Sequence, residues 1–374
     1  MNANNNLLLE HPAPNFAELV RVLKGEQAPR RAHIVEMGID PEVLQLIQEN
    51  YLGEPWALPH GVYSPNQPDE RYYRQLVTIY YRLGYDFVPI WPIWVNNPAG
   101  QIRRAEDTAS QSRGTRDWVD ASGALIKSRA DYDAFPWDKI HPAPESFEMV
   151  ARYLPEGMKM TVSTTMFEHI FEYLLGYEGL FFLLSDDPQL VEDVFARWGQ
   201  IVYNFYASVI GLEAVGGIFH ADDMGFKTGT MISPADLRRL LFPWLERCAE
   251  LAHAHGKPFF IHSCGNLYKK TPSVMDDLID VVNIDGFHSF QDVIQPVTAV
   301  KARYGQRVAL LGGVDMHKLV TLPEAELRAY LRSILDVCMV DGRFAFGSGN
   351  TIANFVPLTH FAILLDESRR WQGS

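Results

Sequence analysis

Short apolar runs of strand character recur along this chain, separated by longer stretches of helical periodicity, and this alternation limits its fold more than any other feature. The strand-like runs are 33–37, 86–91, 159–163, 216–220, 258–262, 281–285, 308–312 and 343–347. Several are nearly continuous in apolar residues, as strands of a parallel sheet buried on both faces are. Helical patterns lie between them at 71–83, 188–210, 234–255, 291–304 and 323–340. Ser233 before Pro234 reads as an N-cap followed by proline at the first helical position. Eight strands with helices between them predict an α/β chain folded as a (β/α)8 TIM barrel. A doubly wound sheet needs a glycine-rich phosphate loop after its first strand. No G-x-G-x-x-G follows 33–37, and no G-x-x-x-x-G-K-[ST] occurs anywhere.

A chain of 374 residues is long enough for two domains, but barrels of this size form one. Residues 1–30 are polar and proline-containing, with a short amphipathic stretch at 16–23, and read as an N-terminal arm. Residues 31–374 read as a single barrel domain. Within it, 96–141 is rich in Asp, Arg, Ser and Trp and follows neither period, so it is expected to be an insertion near the barrel mouth, a lid.

Composition excludes several roles. Hydrophobic residues are 47% and charged residues 21%, the balance of a globular protein with a large core. No apolar run approaches the ~20 residues of a membrane-spanning helix, and the N-terminus lacks the basic region of a signal peptide. Lys and Arg total 33 against 46 Asp and Glu, a net charge of −13, which argues against nucleic acid as a partner. Three cysteines without a C-x-x-C argue against a disulfide framework and make a cytoplasmic location the expectation.

In a barrel, chemistry sits at the C-terminal ends of the strands. Five such ends read FFIHSCGN (259–266), GIFHADDMG (217–225), NIDGFHSF (283–290), LLGGVDMH (310–317) and AFGSGNT (345–351). His262 and Cys264 are two apart, so they share a face if the strand persists. An imidazole with a thiolate suits zinc, and Gly265 lets the backbone turn away. The plainer alternative is a small buried thiol beside a core histidine. His220 and Asp222 also share a face, beside Asp223, and offer a metal ligand, a general base or substrate hydrogen bonds, or else a capped turn. His288 and Asp315 follow strands. The glycines before Asp315 imply close approach of a ligand or a neighbouring strand. Ser348 and Asn350 can line a polar pocket. Cys248 and Cys338 fall within helical patterns and read as buried. Tyr72, Tyr73, Tyr80 and Tyr81 read as packing surface. Trp91 and Trp94 close a strand and enter the insertion, where they read as core or as an apolar wall for substrate.

These motifs together resemble the uroporphyrinogen decarboxylase superfamily. The resemblance rests on SPADLRRLLFPWLER (233–247), IHSCGN (261–266), KARYGQRVALLGGVD (301–315) and the terminal GSGN (347–350) followed by Pro357. LGYDFVPI (83–90), Gly176–Tyr177–Glu178 and Asp186–Asp187–Pro188 are in character upstream. It spans roughly 30–370, densely in the second half, and implies the same barrel. One branch of that superfamily decarboxylates uroporphyrinogen without a cofactor. The other moves methyl groups to or from a corrinoid protein with the help of zinc. The arginine-rich signature of the decarboxylases is missing near RAHIVEMG (31–38), and PIWPI (89–93) stands where they carry an essential aspartate. The chain is therefore closer to the methyltransferase branch, whose zinc motif His262-x-Cys264-Gly265 matches. The further cysteine of that branch is absent: GSGNT stands in its place, with Asn350 the nearest equivalent, and no cysteine follows Cys338.

The resemblance implies a methyltransferase-like enzyme moving a methyl group between a small methylated donor, a methoxylated one included, and a corrinoid protein. It implies Zn2+ on His262, Cys264 and a third ligand of another type. Asp222 is the expected third ligand, with Asp223 and His288 as the other candidates. The expected catalytic groups are Asp222, Asp223 and His288, and the substrate-binding groups His220, Asp315, Ser348, Asn350 and Trp91. A carboxylate in place of a second thiolate makes the metal harder, which suits an oxygen-linked methyl donor. Barrels of this family often pair as homodimers. Two other readings stay open at this point: a metal-independent decarboxylase or lyase of a small carboxylated substrate, and a non-catalytic tetrapyrrole- or corrinoid-binding protein.

Overall fold

The computed structural model describes residues 7–57, 69–98, 100, 102–109, 111, 114–120, 123–143, 145–269 and 272–373. Seven strands form one sheet: β1 (Phe87–Ile90), β2 (Lys159–Val162), β3 (Val215–Ala221), β4 (Phe259–His262), β5 (Gly286–His288), β6 (Ala309–Val314) and β7 (Phe344–Ser348). They are neighbours in chain order and all parallel, with Ile261 opposite His220 and Leu310 opposite Phe344. The sheet curls with helices around it, a TIM-barrel-like α/β architecture.

Two of the eight expected strands differ. The 33–37 run makes an isolated parallel bridge, Ile34 to Phe346, rather than a ladder. It lies along β7 through Val35 N–H to Phe346 O at 2.8 Å and reaches the entry of β1 through His33 and Asp86 at 2.6 Å. The 281–285 run is not a strand; β5 begins at Gly286. Helix Val274–Asp280 ends there, Val281 is half exposed, and Asn283 turns the chain with φ 62°. An apolar run serves a helix end as well as a strand.

The 234–255 helical pattern is divided. Ser233 accepts from Asp236 N–H as the expected cap, but a π-helical turn, Leu237–Leu241, precedes helix Phe242–Ala254. Pro243 lacks an N–H, so the preceding turn has to rearrange.

Buried apolar residues fall into two clusters. The larger lies between sheet and helices and includes Ile218, Phe259, Ile261, Leu310 and Phe344. The smaller fills the inside of the curl: Val35, Phe87, Phe219, Phe260, Leu311 and Ala345, stoppered by Phe16, Leu19 and Leu23 of helix Phe16–Lys24. The period of two along each strand separates these sets. It also assigns Ala221 and His262, one step further along β3 and β4, to the inside.

Between β1 and β2 the chain leaves the sheet. Trp94–Val95 pairs antiparallel with His141–Pro142, so the excursion starts and returns at one point. It carries a hairpin, Ile102–Glu106 with Thr115–Val119, and helix Arg129–Ala134. Asp107 accepts from Asn354 at 3.1 Å, which joins the hairpin to the loop after β7.

Candidate metal and substrate site

Three ligand-type side chains converge at the C-terminal ends of β3 and β4. The ligand atoms of Asp223, His262 and Cys264 all lie within 4.8 Å of one another. His262 Nε2 is 3.3 Å from Asp223 Oδ1 and 3.7 Å from Cys264 Sγ. Around one tetrahedral zinc with ordinary bond lengths, a nitrogen and an oxygen stand about 3.4 Å apart, and a nitrogen and a sulfur about 3.6 Å. The three donors thus fit a zinc ion by chemistry, and the two distances from His262 match its spacing.

Local structure holds each donor. Cys264 N–H donates to Asp223 Oδ1 at 2.7 Å, so the two loops fix each other. Gly265 has φ 105°, and a Cβ there would stand 2.2 Å from the carbonyl carbon of Gly225. The turn after Cys264 therefore needs glycine. Cys264 Sγ receives Asn350 Nδ2 at 3.2 Å and touches Ser289 Oγ at 3.3 Å.

Behind His262 stands His288, buried, with the two Nδ1 atoms 2.6 Å apart. His288 Nε2 lies 3.1 Å from Ser348 O, a carbonyl that can only accept. A neutral His288 then carries its proton on Nε2 and accepts at Nδ1. His262 has to donate from its own Nδ1, which leaves its Nε2 facing Asp223 and Cys264, an N–H donor without metal and a lone pair for a metal that displaces that proton. Burial and the neighbouring His262 push the His288 pKa well down, which keeps that ring neutral. Burial alone would lower the His262 pKa too, but hydrogen bonds to Asp223 and Cys264 outweigh it and raise it to about 10 without metal. Burial would raise Asp223, but His262 holds it below the usual carboxylate range. Gly312, the first of the two glycines before Asp315, makes room for His288: a Cβ there would stand 2.8 Å from the ring and 2.2 Å from Ser348 O.

The structure brings Asp223, not the expected Asp222, to His262 and Cys264. Asp222 and His220 do share a face, but it is the outer one, the opposite of Phe219 and Ala221. Asp222 is fully buried and committed: it accepts from Met166 N–H at 2.8 Å, Glu168 N–H at 3.1 Å and His220 Nε2 at 2.7 Å. His220 is buried between Asp222 and the Tyr206 hydroxyl, and does not line the cavity described next. Ser348 is buried, with its backbone N–H and hydroxyl donating to Glu36. Asp315 accepts from Lys318 N–H and Asp292 N–H, and lines a separate cavity of about 670 Å³ that also meets Asn350. Cys248 and Cys338 are buried in helices, which pushes both thiols up to about 12.

Two of the three donors, Asp223 and His262, line a cavity of about 770 Å³, with Asn350 also in its wall. Trp91, 40% exposed, and Trp94 line it from the start of the excursion, and Tyr72 lines it too. Among the lining residues that the sequence reading does not single out are Glu168, His169 and Glu172, on the helical turns Phe167–His169 and Ile170–Leu174. Their signal is two carboxylates four apart in an otherwise apolar MFEHIFEYLL, just past a strand. Burial, then Asp223 and Glu172, push Glu168 up to about 8.

A family model described as uroporphyrinogen decarboxylase (URO-D) matches residues 124–371. Among solved structures, a methyltransferase from Methanosarcina mazei is similar at a TM-score of 0.65 and 15% identity, covering 95% of this chain and 98% of that one. Xylanase B from Clostridium stercorarium F9 follows at a TM-score of 0.36 and 13% identity, covering 60% of this chain and 84% of that one. No curated protein matches the sequence.

Proposed function

The chain belongs to the uroporphyrinogen decarboxylase family, and we propose that within it this protein is a zinc-assisted methyltransferase-like enzyme, moving a methyl group between a small methylated donor and a corrinoid protein. The observation that carries this reading is the convergence of Asp223, His262 and Cys264 beside a large cavity at the catalytic end of the barrel. The barrel-wide likeness to a methyltransferase supports it.

Asp223 Oδ1, His262 Nε2 and Cys264 Sγ would hold the metal, three protein ligands with one position left for substrate. When bound, zinc supplies a Lewis acid that stabilises charge on a heteroatom as its methyl group departs or arrives. The chain's own groups set the stage for that chemistry. His288 keeps the His262 ring turned and its proton on Nδ1. Asn350 donates to Cys264 Sγ, and the Cys264 N–H anchors Asp223. Trp91 and Trp94 shield one side of the cavity from water.

Mixing the zinc-loaded protein with a methylated donor and reduced free cobalamin tests the reading, because methylation of the cobalt changes its absorbance. Donor-dependent methylcobalamin formation that Cys264→Ser abolishes is expected. A protein that retains zinc yet methylates no cobalamin with any methylated donor would overturn it.

A further inference from the structure

The cavity has walls that the metal ligands do not explain. Glu168 and Glu172, one helical turn apart, line it together with Asp223, whereas no lysine or arginine is among the described residues that line it. Two other buried acids meet cations: Glu367 meets Arg328 and Arg332, and Asp86 meets Arg31 and His33. Among the described residues nothing donates a hydrogen bond to the Glu168 carboxylate, and Glu172 has the Tyr177 hydroxyl at 3.3 Å. Among the described lining residues only His262 can offset these three carboxylates, and grouping them is costly to the fold. Asp222 accepts two hydrogen bonds from the backbone of the turn that presents Glu168, which holds that turn in place.

The remaining wall is aromatic. Tyr72, Trp91, Trp94 and Tyr173 line the cavity. His169 also lines it, buried to 7% exposure and stacked between Tyr173 and Trp198 at 4.8 and 3.9 Å. Its Nε2 has no hydrogen-bond partner. Burial lowers its pKa to about 3, so the ring stays neutral and adds no positive charge. A compact, strongly hydrated metal ion gains little from aromatic rings. A large, weakly hydrated organic cation gains from both the rings and the carboxylates.

We propose that this cavity binds a methylated ammonium cation, held by Glu168 and Glu172 among the rings of Trp91 and Tyr173. That this cation is the methyl donor rests on the function proposed above; that it binds does not.

The test is calorimetric titration of the full-length protein, with and without added zinc. The probes are phenyltrimethylammonium, its uncharged isostere tert-butylbenzene, and 4-tert-butylbenzoate. The cation should bind at least ~10-fold more tightly than the neutral isostere, as cation–π and ionic contacts in a half-buried site imply. Glu168→Gln should cost the cation ~10-fold and leave tert-butylbenzene unchanged. Trp91→Ala, at a surface-accessible position where folding is not at stake, should also weaken the cation. Equal binding of the cation and its isostere, tighter binding of the benzoate, or no binding of any probe would overturn the proposal. Cation binding without zinc retention would sink the metal reading and keep this one; zinc retention with indifference to charge would do the reverse.

Discussion

Both ends of the barrel bury an aspartate against a histidine, and the two pairs do opposite things. At the N-terminal end, Asp86 is fully buried and saturated. It accepts from His33 Nδ1 at 2.6 Å, Arg31 at 2.6 Å and Asn15 N–H at 2.7 Å, below the apolar stopper of Phe16, Leu19 and Leu23. At the C-terminal end, the Asp223 side chain is 31% exposed, its His262 contact is longer at 3.3 Å, and both line a cavity. The first pair is balanced by an arginine. The second belongs to a group in which carboxylates outnumber cations. Residue type alone does not separate a structural pair from a ligand site; the saturation of its hydrogen-bonding capacity and its access to solvent do.

The sharpest way to break this contrast is to remove one partner at each end. Cys264→Ser and His262→Ala should reduce bound zinc from one per chain to none by elemental analysis, with the fold retained. Asp86→Ala should do the converse. It should keep zinc but cost about 3 kcal/mol or more in urea denaturation, because it leaves His33 and Arg31 without their buried counter-charge. If Asp86→Ala lost zinc, or Cys264→Ser lost the fold, the two ends would not be separable in this way.

A smaller effect lies between them. Glu36 is fully buried on Ser348, and burial, despite those hydrogen bonds, raises it to about 8. Its folded-state value lies above the unfolded one, so the native protein holds a proton that the unfolded chain has released. Its contribution is therefore complete below about pH 4.5 and declines as pH rises toward 8, at up to about 1.4 kcal/mol per unit. Asp86 has the opposite sign. His33, outweighing burial, lowers it, so its contribution stands above about pH 4 and fades only in acid. Glu36→Gln should flatten the fall in urea midpoint between pH 5 and 8, roughly the interval set by those two values. An unchanged slope would show that Glu36 is not the group responsible.

The smallest expected effects are no effects. Cys248→Ser and Cys338→Ser should retain full zinc content, since both thiols are buried away from the site. The protein should form no coproporphyrinogen from uroporphyrinogen; among the described residues no arginine lines the cavity to meet the acetate arms. Enzymatic turnover of about 1 s⁻¹ would contradict this.

The barrel was legible in the sequence because burial on both faces makes parallel strands into apolar runs that no neighbouring segment imitates for long. Six of the eight runs are strands in place. The exceptions, 33–37 and 281–285, are apolar for other reasons: one lies along the barrel edge with a single bridge, the other ends a helix. His262 and Cys264 were legible because they are two apart at a strand end. The third donor was not. Period two gives His220 and Asp222 a common face, but which face is inner depends on register against β4, and only the pairing of Ile261 with His220 decides it. Glu168 and Glu172 were harder still, because a lone pair of acids four apart on a helix usually points to water. Their approach to Asp223 is a property of the curled sheet, not of their own segment.

The account turns on Asp223 rather than Asp222 as the third donor, and zinc affinity measured by competition with a chromophoric chelator tests it most directly. Wild-type protein and Asp223→Ala should be compared with Asp222→Asn, which keeps its size and part of its hydrogen bonding. The account predicts one tightly held zinc per chain in the wild type, a loss of ~100-fold or more in Asp223→Ala, in line with removal of a metal ligand, and little change in Asp222→Asn. No retained zinc in the wild type, or unchanged affinity in Asp223→Ala, would contradict it.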